Sequence, residues 1–161
     1  MNKELESKKK YGLRRVLNKI LQAIARSSLL SGHMRVRLQS MRGVHFKNTG
    51  TTFIGDNVSF DGIYPENVFI GDRCLIAAGT RIITHFIDTE NLSNNPEYHF
   101  RFYQGKVIIE DDVFIGLNCV IAKPVTIGKG AVIGANVVIT KDVPPGAVIV
   151  GASAINIKQV G

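Results

Sequence analysis

His85 is the residue whose type and place most suggest chemistry. It stands three residues after Ile82, at the last regular position before an irregular stretch that also contains His99. An imidazole with an ordinary pKa of about 6.5 can take a proton from a hydroxyl near neutral pH, which is general-base chemistry. A solvated surface histidine is the other reading of the same position. His33 and His45 lie in a basic N-terminal segment with no partner in view. Metal chemistry is not expected: there is no His-x4-His, and His85 and His99, 14 residues apart, do not assemble with a third ligand into a zinc site. Cys74 and Cys119 are too few for a disulfide scaffold and suit a reducing compartment. Both share the register of small apolar residues, so they read as buried hydrophobes rather than nucleophiles.

These residues ride on a period of six. Ile109, Ile115, Ile121, Ile127, Ile133 and Ile139 recur without a miss. Four residues after each stand Val113, Cys119, Val125, Ala131, Val137 and Val143; three after stand Asp112, Asn118, Pro124, Gly130, Asn136 and Asp142. The first column is core, the second turn chemistry. Six fits a short strand plus a corner, and three such sides close one triangular coil. Stacked coils then bury the isoleucines as an internal ladder and pair their backbone groups with the coils above and below. Ile70, Ile76 and Ile82 form an earlier series, with Ile54 and Phe60 before it. Four extra residues precede Ile70 and four more precede Ile149, and corners are where a solenoid takes insertions. The register breaks between Ile82 and Ile109, so residues 86–106 are expected to protrude as a functional loop. His85 falls in the corner column, which points its side chain outward.

The pattern Ile115-Gly116-Leu117-Asn118-Cys119-Val120 resembles the hexapeptide-repeat acyltransferases of the sugar and polysaccharide O-acetyltransferase type. The resemblance covers about residues 52–160: the repeats, a loop just after Thr84-His85, the stretch Val138-Ile139-Thr140-Lys141-Asp142-Val143-Pro144, and the closing Gly151-Ala152-Ser153-Ala154. It implies an all-β fold, a left-handed parallel β-helix. Handedness comes from the resemblance, since it runs against the usual crossover rule. It also implies His85 as general base and the Leu117 backbone N–H as oxyanion donor, where relatives often have a smaller residue. Acetyl-CoA is the implied co-substrate, held by Gly116, Leu117, Ala135, Thr140, Lys141 and Lys158, with no metal. Asp88 matches a His-x-x-Asp pattern or caps the loop. Asp88, Tyr98, Arg101, Tyr103 and Phe114 are the implied acceptor-binding residues. The expected acceptor is a hydroxyl of a sugar or glycan intermediate. An acceptor such as serine or an antibiotic, or a non-catalytic β-helix scaffold, are the alternatives. The family is trimeric, so a homotrimer is expected, each groove taking His85 from one chain and a wall from its neighbour.

The net charge of +7 is unevenly placed. Residues 1–47 hold 12 Lys and Arg against 2 Asp and Glu, while residues 48–161 hold 8 against 11. The chain divides at that boundary into a basic N-terminal segment and a β-helical domain, and nucleic acid is not an expected partner. Leu13, Val16, Leu17, Ile20, Leu21 and Ile24 predict an amphipathic helix. It either caps the open first coil or lies, through residues 8–26, on an anionic membrane surface. No apolar run is long enough to span a bilayer, and Arg15, Lys19 and Arg26 interrupt any signal-like stretch. A cytoplasmic place is expected, with the inner membrane surface as the peripheral alternative.

Overall fold

The computed structural model describes residues 4–5, 12–88 and 102–151. Its six-residue period becomes three parallel faces. Face 1 stacks β2 (His45–Phe46), β5 (Val68–Ile70), β10 (Val107–Ile109) and β13 (Val125–Ile127). Face 2 stacks β3 (Phe53–Ile54), β6 (Leu75–Ile76), β11 (Phe114–Ile115), β14 (Val132–Ile133) and β16 (Val148–Ile149). Face 3 stacks β4 (Ser59–Phe60), β7 (Arg81–Ile82), β12 (Val120–Ile121) and β15 (Val138–Ile139). The chain visits the faces in turn, so each strand pairs with its counterpart one coil away, as Ile82 does with Ile121. Ile54, Ile76, Ile115 and Ile133 line the inside of face 2; Phe60, Ile82, Ile121 and Ile139 line face 3. Each such side chain contributes about 1.5–3 kcal/mol by leaving water. Cys74 and Cys119 are buried in the same ladder, and burial pushes both thiols up, away from the reactive thiolate.

Corners carry the expected backbone. Asn57, Arg73, Gly79, Asp112, Asn118, Gly130 and Asn136 all turn with φ between 52° and 76°. His85 departs from this column. It opens an extended strand, β8 (His85–Ile87), antiparallel to β9 (Phe102–Gln104). The expected outward corner is therefore the first residue of a hairpin stem, because the chain leaves the coil there and needs no left-handed turn. Within the expected 86–106 loop, Phe86 packs on Tyr103 with ring centroids 5.4 Å apart. A short strand, β1 (Glu4–Leu5), adds to the outer side of β9.

Among the described residues two helices precede the coils, where one was expected. The predicted helix is α1 (Leu13–Ala25). The second, α2 (Gly32–Arg42), is capped by the Ser31 hydroxyl, which accepts from Met34 N–H, and ends at Gly43 with φ 111°. Its buried face is Gly32, Arg35, Val36, Gln39 and Arg42, too polar to announce itself by apolar periodicity. The Arg35 guanidinium donates to the carbonyls of Ser27 and Ile54, and Arg42 to those of Asn18 and Asp61. α2 thus ties the helices to the first coil. Leu21 and Ala25 of α1 are buried beside it, whereas Leu13, Val16, Leu17, Ile20 and Ile24 face away.

Candidate active site

His85 is held by a carboxylate that the sequence reading did not single out. Its Nδ1 lies 2.6 Å from Asp61 Oδ2. Asp61 follows Phe60 at the corner between faces 3 and 1, one coil before His85. The four extra residues there let the chain fold around the carboxylate. Oδ1 accepts from the N–H groups of Ile63 and Tyr64 at 2.7 and 2.9 Å, and Oδ2 accepts from Thr84 N–H at 2.9 Å. The Thr84 hydroxyl donates to Tyr64 O at 2.8 Å, locking the two corners together. The Asp61 side chain is 0% exposed and that of His85 32%.

Burial alone would push the Asp61 carboxyl up. The His85 hydrogen bond and the N–H groups of Tyr64, Thr84 and Ile63 outweigh it and hold the group well below the usual carboxylate range. With Asp61 ionised, a neutral His85 donates to it as the Nδ1–H tautomer, in which Nε2 is the unprotonated nitrogen. Arg42 lies behind, where burial lowers its pKa to about 10 and Asp61 raises it in part. Its guanidinium stays charged at neutral pH and adds to the field that favours the carboxylate.

The hairpin register decides what stands over the imidazole. His85 pairs with Gln104 and Ile87 with Phe102, so these four share one side of the ribbon. The Phe102 ring lies 6.4 Å from that of His85, and Asn67 Nδ2 donates to Gln104 Oε1 at 3.1 Å. Tyr103 points the other way, buried on Phe86 with its hydroxyl 3.4 Å from Lys123 Nζ. Asp88 is also buried. Phe102 and Asp61 were not singled out from the sequence. Asp61 could have been found by noting that both irregular corners, after Phe60 and after Ile82, stack on the same edge.

The other predicted residues fall into two groups. Thr140 and Lys141 are exposed on the His85 edge, two coils further along. Gly116, Leu117 and Ala135 stack on the opposite edge of face 3, with Leu117 O accepting from Asn136 N–H at 2.7 Å. A Cβ on Gly116 would lie 2.7 Å from Ala135 N, so only glycine fits there. Phe114 lies outward on face 2, next to that corner and between Leu75 and Val132. Tyr98, Arg101 and Lys158 lie outside the described residues. One chain therefore does not bring His85 and Leu117 together: they flank face 3 on opposite edges.

Residues 106–141 match the family model described as hexapeptide repeat of succinyl-transferase. With the three-faced coil, this makes the architecture a left-handed parallel β-helix of hexapeptide repeats. The chain is similar to a maltose O-acetyltransferase from Clostridium difficile 630, at 26% identity over 86% of this chain and 81% of that one, TM-score 0.62. It is also similar to a galactoside acetyltransferase in complex with coenzyme A, at 25% identity over 92% of this chain and 82% of that one, TM-score 0.58. A 53-residue stretch is 57% identical to a 2,3,4,5-tetrahydropyridine-2,6-dicarboxylate N-acetyltransferase of Staphylococcus aureus. That stretch is 33% of this chain, and the chain spans only 22% of that curated relative.

Proposed function

We propose that the protein is an acetyl-CoA-dependent O-acetyltransferase acting on a hydroxyl of a sugar or glycan intermediate. The observation that carries this reading is the 2.6 Å bond between His85 and the buried Asp61. Such a pair fixes the imidazole and aims one nitrogen at an incoming hydroxyl. Nε2 takes the hydroxyl proton as the oxygen attacks the thioester carbonyl. The carbon–oxygen bond forms, and the carbonyl becomes an oxyanion that the Leu117 N–H stabilises. Collapse breaks the carbon–sulfur bond, and the coenzyme A thiolate takes the proton from the imidazolium. Asp61 stays ionised throughout.

The residues fit the co-substrate. Gly116 and Ala135 carry little or no side chain beside the exposed Leu117, which lets a pantetheine arm approach their backbone, and Lys141 offers an exposed point charge to a phosphate. Coenzyme A is bound in the galactoside acetyltransferase to which the chain is similar. Because His85 and Leu117 lie on opposite edges, the site we propose forms between copies of a homotrimer. An amine acceptor is the second reading, favoured by the Staphylococcus aureus N-acetyltransferase. Thiol release from acetyl-CoA over a panel of sugars, glycan intermediates and amino sugars tests both. An ester product is cleaved by hydroxylamine and an amide is not. No thiol release with any acceptor, together with no coenzyme A binding at millimolar concentration, overturns the transferase reading.

A further inference from the structure

Helix α1 turns an apolar stripe to solvent. Leu13, Val16, Leu17, Ile20 and Ile24 fall on one face, and each is between 46% and 86% exposed. Leu29, just beyond the helix, is 93% exposed. Scattered surface leucines are ordinary, but five apolar residues in one stripe on a 13-residue helix are not. The contacts with the protein body run along a different side, through Leu21, Ala25 and Gln22, whose amide donates to Ser59 Oγ and Phe60 O.

The charge around the stripe selects its partner. Between Glu6 and Asp56 the sequence has no acidic residue and 11 Lys or Arg. Arg35 and Arg42 are turned inside, but Arg14 and Lys19 stand exposed on α1. A second copy of α1 would set one acid-free basic helix against another. We propose that α1 docks on an anionic lipid bilayer, with the stripe among the acyl chains and Arg14 and Lys19 at the headgroup phosphates. Thirteen residues rise about 20 Å, too short to cross a hydrocarbon core of about 30 Å, so the helix lies in the interface.

Docking also sets the orientation of the site. Asn18 in the middle of α1 accepts from Arg42 at 3.0 Å, and Arg42 donates to Asp61 O at 2.9 Å. The helix is thus one side chain removed from the residue that holds His85. The surface contact holds whatever reaction that corner performs.

Co-sedimentation of the full chain with phosphatidylcholine vesicles, with and without phosphatidylglycerol, tests this. Binding is expected to rise about tenfold or more with phosphatidylglycerol and to fall as salt is added. A Leu17→Glu/Ile20→Glu variant alters only exposed side chains. It is expected to lose vesicle binding while keeping its thermal melt and its thiol release with a soluble acceptor. An Arg14→Ser/Lys19→Ser variant should lose the preference for anionic lipid. The proposal is overturned if wild type ignores anionic vesicles, or if the Leu17→Glu/Ile20→Glu variant sediments as wild type does. It is overturned equally if that variant lowers the mass in light scattering and wild type does not bind vesicles, which would assign the stripe to a second copy.

Discussion

A histidine on a buried, ionised carboxylate differs from a surface histidine in what its removal does. His85→Ala should leave the coil intact, since the side chain is part-exposed at the start of the hairpin and outside the ladder. Turnover of acetyl-CoA should fall by roughly 10²–10⁴, the usual worth of a general base. Retention of more than about a third of the activity would refute the role. Asp61→Asn keeps the shape but lets the imidazole take the wrong tautomer, and a loss of about 10² in kcat is expected with KM for acetyl-CoA little changed. The same residue makes a pH prediction. Its folded pKa is depressed, so the stability it contributes is present above the unfolded value of about 3.9 and is lost as pH falls toward the lower folded value. Denaturation of wild type and Asp61→Asn should show a gap that is present at about pH 5 and narrows below about pH 4. A gap that stays constant to about pH 3 would show that some other group is titrating. Lys141→Ala, by contrast, should raise KM for acetyl-CoA with a smaller effect on kcat, because an exposed charge on the phosphates binds ground and transition states alike.

At the scale of elements, stability resides in the ladder. Ile121 is fully buried, with a coil on each side, and Ile121→Ala should cost about 2–5 kcal/mol by chemical denaturation. Ile149, half-buried on the last described strand, should cost clearly less when truncated. This difference follows from the repeat itself, which is why the β-helix was legible from sequence: one isoleucine every six residues leaves few other ways to bury them. The corners were legible for the same reason, since Asn118 and Asn136 supply the left-handed turns that the spacing demands. What escaped was held by polar contacts, which have no period. α2 is fastened through Arg35 and Arg42 to carbonyls, and Asp61 sits in an insertion that looked like an ordinary solenoid corner. The hairpin hides its facing from composition too, because a shift of one residue exchanges Phe102 for Tyr103 beside His85.

For the molecule as a whole, the decisive fact is the division of the proposed site residues between two edges of face 3. His85, Thr140 and Lys141 stand on one edge; Gly116, Leu117 and Ala135 on the other, beside the outward stripe of Phe53, Leu75, Phe114 and Val132 on face 2. A cyclic assembly that sets one chain's His85 edge against its neighbour's Leu117 corner would complete as many sites as there are chains. Light scattering should give about 53 kDa for three 17.6 kDa chains. Subunit mixing checks the sharing directly. His85→Ala removes the base from one edge, and Ala135→Trp blocks the cofactor corner on the other, so each homotrimer should be inactive. In trimers re-formed from an equal mixture, a site is complete when an intact His85 edge from the Ala135→Trp chain meets an intact corner from the His85→Ala chain. Random association makes that about one site in four, so about a quarter of wild-type activity should return. If none returns despite proven exchange of subunits, base and cofactor corner belong to one chain, and the edge-to-edge site is wrong.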